Sequence, residues 1–163
     1  MVSLLVLAGA AIMFALGAIA GAPYLRTLSR QRETALDLLK LQAGQTVLDL
    51  GSGDGVFLKA AAQRGIRGIG YEINPLLVIW SKLATLRYRK LITIKWANFW
   101  NVRWPEVDGI YIFLIGRYMK RFDKKICQQL RKPTPIASYT FKLPGRQIKK
   151  LKHGIYLYYW NGC

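Results

Sequence analysis

The chain has 163 residues, 52% of them hydrophobic, which suits one domain with a buried core and argues against wholesale disorder. Twenty-five Lys and Arg stand against eight Asp and Glu, a formal net charge of +17, so the surface attracts polyanions: RNA, DNA or an anionic membrane leaflet. One histidine and two cysteines without metal-ligand spacing exclude histidine-based triads, histidine-rich metal sites and a disulfide framework. Cys127 and Cys163 read as free thiols of a reducing compartment, and His153 as a solvated turn residue.

The first charged side chain is Arg26. Val2 to Ala22 carries no charge and would span roughly 31 Å as a helix, enough to cross a bilayer core. The small residues of "AIAGA" resemble a signal cleavage site, but the basic region that precedes one is missing. A buried soluble helix seldom stays apolar on every face for this length. The expectation is a single transmembrane anchor over residues 1–22. Arg26, Arg30 and Arg32 follow it, so the positive-inside rule places residues 23–163 on the cytoplasmic side of a membrane.

Beyond Pro23 helical and strand patterns alternate. "RTLSRQRETALDLLKL" has mostly helical apolar spacing, and Gly44 can stop it. "TVLDL" reads as a short buried strand, "GVFLKAAAQRG" as a helix closed by Gly65, and "IRGIGYEI" as a second strand. "PLLVIWSKLATLRYRK" is a second helix with Pro75 in its first turn. "LITIKW" and the wholly apolar "DGIYIFLI" are strands three and four. "RYMKRFDKKICQQLRK" sets Met119, Phe122, Ile126 and Leu130 on one stripe. "PIASYTF" and "GIYLYYW" are two last strands, with the stretch between them ambiguous. Repeated βα units predict an α/β fold: a doubly wound, Rossmann-like sheet, mostly parallel, over residues 23–163 behind one transmembrane helix.

The chemistry concentrates in "TVLDLGSGDGVF", Thr46 to Phe57. In doubly wound sheets the turn after the first strand meets the ligand. Gly51, Gly53 and Gly55 allow positive φ and close approach of a ligand to the backbone. Dinucleotide folds rest a pyrophosphate on such a loop, but their glycines run G-x-G-x-x-G. Here the spacing is G-x-G-x-G, and Asp49 and Asp54 would repel a pyrophosphate. A cationic ligand suits them. Glu72, ending the second strand in "GYEINP", stands where a carboxylate accepts hydrogen bonds from both ribose hydroxyls. Ribose with a cationic group and no phosphate describes S-adenosylmethionine.

"VLDLGSGDG" followed by "GYEINP" resembles the first two motifs of class I, seven-strand methyltransferases. "PYLRT", "GYEINPLLV" and "SYTFKLPG…IYLYYW" are similar to a family of small methyltransferases with one N-terminal membrane segment. That family includes the lysine methyltransferases of the ATP synthase c-subunit and the adenine nucleotide translocase. The resemblance implies that Asp49, Gly51, Gly53 and Gly55 surround the methionine end of the donor, with Ser52, Asp54 and Asn74 in the same two loops. It implies that Glu72 holds the ribose, that Asn98 and Phe99 lie near the adenine, and that Tyr24 and Thr27 close over the donor. The chain departs from the family's usual pattern at Arg26 and at Gly116–Arg117, on the acceptor side.

The implied acceptor is a lysine of a membrane-embedded or membrane-associated protein. No catalytic side chain beyond donor binding stands out. Asp108 is a candidate polar group, though an acid before a strand more often belongs to a turn. Tyr111, Tyr118 and Tyr139 could line an aromatic channel for an amine or simply pack. The Asn/Asp-Pro-Pro-Tyr-like signature of amide and adenine amino methyltransferases is absent. The basic, aromatic-bearing "LRYRK" and "MKRFDKKICQQLRKP" leave two further partners open, an RNA acceptor and an anionic lipid surface.

Overall fold

The computed structural model describes residues 26–163. The expected anchor at 1–22 and Tyr24 lie outside the described residues. Among those residues no helix is long and apolar enough to cross a membrane.

Seven strands form one sheet: β1 (Thr46–Leu50), β2 (Arg67–Glu72), β3 (Ile92–Trp96), β4 (Gly109–Ile112), β5 (Thr134–Tyr139), β6 (Lys150–Lys152) and β7 (Ile155–Trp160). Their spatial order is β3-β2-β1-β4-β5-β7-β6. The first five are parallel, while β7 runs antiparallel to both β5 and β6. Strand order reverses between β1 and β4, which opens a crevice at the carboxyl ends of those two strands.

Four helices cover the sheet: α1 (Ser29–Leu39), α2 (Val56–Gln63), α3 (Pro75–Ala84) and α4 (Met119–Gln129). Apolar residues of α1, α2 and α3 pack with Val47, Ile94 and Tyr111 on one face. On the other, the predicted stripe of Met119, Phe122, Ile126 and Leu130 is buried with Leu48, Leu50, Ile110 and Ile112. The alternation Val47, Leu48, Asp49, Leu50 divides β1 between the two layers, as the two-residue strand period requires. Asp49 thereby faces the α1–α3 side, at the carboxyl end.

Glycines decide how closely α2 approaches. A Cβ on Gly68 would lie 2.8 Å from Leu58, and one on Gly70 would lie 2.6 Å from the Ser52 hydroxyl and 2.7 Å from Leu58. The "RGIGYE" pattern is therefore a bare track on which Leu58 and the loop after β1 rest.

Three expectations change. The first helix ends at Leu39, where Lys40 adopts φ 54°, rather than at Gly44. The fourth strand keeps only four residues of the apolar run. The ambiguous stretch contains β6, an edge strand whose three residues are all exposed. It carried no burial signal, and its lysines suit an edge that must not pair further. His153 and Gly154, at φ 48° and 78°, turn β6 into β7. Arg30 donates to His153 Nε2 at 2.7 Å and Nδ1 meets Thr34 Oγ1 at 2.9 Å, so this neutral ring is a turn residue tied to α1.

The free-thiol reading is overturned: Cys127 and Cys163 form a disulfide with Cα atoms 5.9 Å apart. Their separation of 36 residues hid the pairing in the sequence, and closing that loop restricts the unfolded chain by about 3–4 kcal/mol. Arg146 lies over the bridge, bonded to Asp123 at 2.6 Å and to the Gly162 carbonyl at 3.2 Å.

Gly70→Ala should destabilise the domain by about 1–3 kcal/mol, the usual cost of overpacking. Because the intruding methyl meets Ser52 first, donor affinity should fall alongside the denaturant midpoint. An unchanged midpoint would show that the close track is not required.

Candidate active site

The loop after β1 is held by backbone donors. Gly51 (φ 89°) and Ser52 both donate to the Tyr71 carbonyl, at 2.9 and 3.0 Å. Gly53 donates to Glu72 Oε2 at 2.9 Å, and Asn74 N–H donates to Glu72 Oε1 at 2.8 Å. One buried carboxylate thus joins the first loop to the second. Asn74 Oδ1 accepts in turn from Leu76 and Leu77, capping α3. Gly55 must lack a side chain, since its Cβ would sit 3.1 Å from that of Ser81 in α3.

Asp54 changes role. Its carboxylate was expected beside Asp49 as half of a paired negative site. Instead Oδ2 pairs with Arg26 Nε at 2.9 Å, and Oδ1 accepts from Val56 N–H at the start of α2. Arg26 is 65% exposed, so the pair contributes at most about 1 kcal/mol, yet it supplies Asp54 with a counter-charge.

Asp49 has none. It is 3% exposed, and desolvation, then Glu72, then Asp54 push its carboxyl well above the usual range. A positive group delivered there would restore the ionised form. Two observations mark the space beside it. Among the described residues the buried Ser52 Oγ has no hydrogen-bond partner, and a Cβ on Gly51 would meet nothing within 4 Å. The loop therefore presents an unsatisfied hydroxyl, open backbone and an uncompensated acid.

Other expected residues surround this core. Thr27 Oγ1 bonds to the Tyr111 hydroxyl at 2.9 Å, and the Tyr111 ring stacks on Phe57 at 4.0 Å. Asp49 and Tyr111 are register partners on β1 and β4, so Thr27 reaches the same crevice. Burial pushes the Tyr111 phenol far above its usual range, and it stays protonated. Ala97 N–H donates to the Glu72 carbonyl at 3.0 Å, which sets Asn98 and Phe99 beside the end of β2. Asn98 Oδ1 accepts from Trp100 N–H and Phe99 is buried against Trp100.

Asp108 belongs elsewhere. It immediately precedes β4, at the opposite end of the sheet, accepting from Thr46 N–H and pairing with Lys132 at 2.8 Å. Lys132 leads the causes that hold its carboxyl below the usual range. It is the turn acid. Of the three tyrosines, Tyr111 and Tyr139 pack in one layer, Tyr139 against Phe113 at 4.4 Å. Tyr118 stands apart on Trp100 at 6.1 Å. In the sequence Arg26 stands out as a charge flanking the apolar stretch and as a departure from the family pattern, and nothing local announces its ion pair with Asp54. Among the described residues no cluster of acids, cysteines and histidine is arranged to hold a metal ion.

A native carboxyl raised above its unfolded value stabilises the fold at low pH, and that contribution is lost as pH rises through the native value. Asp49→Asn removes the charge and should raise the melting temperature of the ligand-free protein at neutral pH by a few degrees, with little effect near pH 4. A lower melting temperature at neutral pH would show that the charge is already compensated.

Known proteins carry the same sheet. Over 83% of this chain and 92% of its own, a solved RNA methyltransferase from Salinibacter ruber in complex with S-adenosyl-L-homocysteine superposes with a TM-score of 0.76 at 23% identity, which shows a shared fold. The human lysine N-methyltransferase of the ATP synthase c-subunit is 29% identical over 75% of this chain and 53% of its own length. The mouse adenine nucleotide translocase lysine N-methyltransferase is 33% identical over 75% and 54%. The chain thus spans about half the length of these curated relatives. Residues 49–150, from the uncompensated acid through the start of β6, match the ANTKMT methyltransferase domain, and the chain belongs to that family, whose methyl donor is S-adenosylmethionine.

Proposed function

We propose that this protein is an S-adenosylmethionine-dependent methyltransferase that modifies a lysine side chain of a membrane-associated protein. The observation that carries the reading is the buried, uncompensated Asp49 beside a glycine loop whose far side is held by Glu72. The site fits the donor. Asp49 and the open backbone at Gly51 suit the cationic methionine end, and Ser52 Oγ supplies a free hydroxyl. Each Glu72 oxygen accepts one backbone N–H and keeps a lone pair for a ribose hydroxyl. Gly53, Asp54, Gly55 and Asn74 shape the two loops, Asn98 and Phe99 stand at the adenine end, and Thr27 closes the near side; Tyr24, assigned beside it, lies outside the described residues.

The bound donor supplies a methyl on a sulfonium, which an in-line nucleophile can displace. The protein's share is alignment, exclusion of water and a neutral amine. An amine brought to the buried methyl would meet little water, which favours loss of its proton. The named activities of the relatives support lysine as the acceptor. RNA is the alternative, favoured by one feature: a cavity of about 240 Å³ lined by Trp100, Arg121, Lys124, Lys125 and Gln128, with Arg121 stacked over Trp100 at 4.4 Å.

We further infer a single-pass membrane protein with its catalytic domain in the cytoplasm. The apolar stretch ending before Arg26, Arg30 and Arg32 supports it. The Cys127–Cys163 bond pulls toward an oxidising compartment instead. Protease accessibility of the domain in sealed native membranes decides between them: cleavage from the cytoplasmic face upholds the placement, and protection from that face overturns it.

Glu72→Ala should weaken donor binding by calorimetry about tenfold or more, from lost charge-assisted hydrogen bonds worth about 1.5–3 kcal/mol. Native-like affinity would refute the site. Labelled methyl transferred to detergent extracts of host membranes should be lost on protease treatment and survive ribonuclease. The reverse pattern would promote RNA.

A further inference from the structure

Helix α3 is built inside out. Its inward face carries Val78 and Ser81, continued by Thr85 just past its end, all buried. The small residues are required there, because the Gly55 backbone approaches Ser81 and Thr85 so closely. Their hydroxyls are satisfied locally, Ser81 donating to the Val78 carbonyl at 3.0 Å and Thr85 to the Ser81 carbonyl at 2.7 Å.

The large apolar side chains point the other way. Leu76, Ile79, Trp80 and Leu83 are 41%, 58%, 62% and 64% exposed. Their spacing of three and four residues makes one stripe along the helix. Leu86 in the following turn extends it, and Trp96 at the end of β3 stands exposed beside it. Among the described residues nothing requires these positions to be apolar. Scattered apolar residues are ordinary on a surface, but a contiguous stripe marks an interface.

The surroundings of the stripe select its partner. Lys82, Arg87, Arg89 and Lys90 lie beside it at the surface, and no acid occurs anywhere from Ile73 to Pro105. A second copy would bring the same cations and be repelled. Leucine, isoleucine and tryptophan flanked only by Lys and Arg match an anionic bilayer interface, with acyl chains below and phosphate headgroups at the rim.

We propose that α3 and the end of β3 form a membrane-contacting face that seats the domain on anionic lipid. The face meets the donor crevice at one end. Trp96 Nε1 donates to the Ile73 carbonyl at 3.0 Å, one residue from Glu72, and Leu76 opens α3 just beyond Asn74. A domain lying on this face holds the mouth of its site at bilayer level, where a residue of a membrane protein emerges. The face lies outside the donor site, so its fate does not depend on which acceptor is used.

All five tryptophans lie between Trp80 and Trp160, so the fluorescence of the full chain reports on the domain and not on the apolar N-terminal stretch. The test is quenching by brominated phosphatidylcholine vesicles, with and without phosphatidylglycerol. The expected result is quenching with a blue shift, severalfold stronger when phosphatidylglycerol is present. It should be largely lost in a Trp80→Phe, Trp96→Phe double variant and much reduced in Leu83→Glu. Calorimetry with S-adenosylhomocysteine should show both variants binding as wild type does, which certifies their fold. Two results would overturn the proposal. One is quenching that neither set of substitutions changes. The other is protection of Trp80 and Trp96 from acrylamide before any vesicle is added, which would mean that the chain's own apolar stretch or a second copy covers the stripe.

Discussion

The Glu72 carboxylate ties the molecule's two functional loops into one body. Its oxygens take the N–H of Gly53 on one side and of Asn74 on the other. Asn74 in turn caps α3, and the N–H groups of Gly51 and Ser52 bond to the Tyr71 carbonyl next door. A buried acid is costly unless its lone pairs are occupied, so the placement of Glu72 obliges both loops to converge on the carboxyl end of β2. The position of the open backbone at Gly51 and of the orphaned Ser52 hydroxyl follows from it.

Asp49 shows the opposite treatment of charge. Glu72 is satisfied by backbone donors and Asp54 by Arg26, while Asp49 is left desolvated and is pushed toward its neutral form. Three acids at one strand end would be mutually destabilising if all were ionised without counter-charge. The structure relieves two of them from within and leaves the third to a ligand. A buried carboxyl left without a counter-charge costs the ligand-free fold stability.

The layers around the site divide the remaining work. Gly68 and Gly70 let α2 and the loop rest directly on β2, while Ser81 and Thr85 let α3 close on Gly55. These small residues make a thin, tightly packed wall behind the crevice. The other face, where α4 covers Leu48, Leu50, Ile110 and Ile112, is an ordinary apolar layer. Because the inner surface of α3 is occupied by small residues, its large side chains turn outward, which ties the close packing behind the donor loop to the apolar surface beside it.

What the sequence determined by itself was whatever depends on neighbours a few residues away. The strand of Thr46 to Leu50 followed from its apolar run, the loop from three glycines in five residues, the start of α3 from Pro75, and the burial of Met119, Phe122 and Ile126 from their helical spacing. The position of Glu72 was legible because it ends the second strand in "GYEINP". Tertiary structure alone decided the pairings between distant segments. Arg26 with Asp54, Thr27 with Tyr111, and Cys127 with Cys163 are contacts that no local period encodes. β6 escaped because an exposed edge strand of three residues carries neither alternation nor burial. The sequence showed a helix from Pro75 but not which of its faces is buried, since periodicity reports that a stripe exists and not which way it faces. Only the close approach of Gly55 to Ser81 turned that stripe toward the outside.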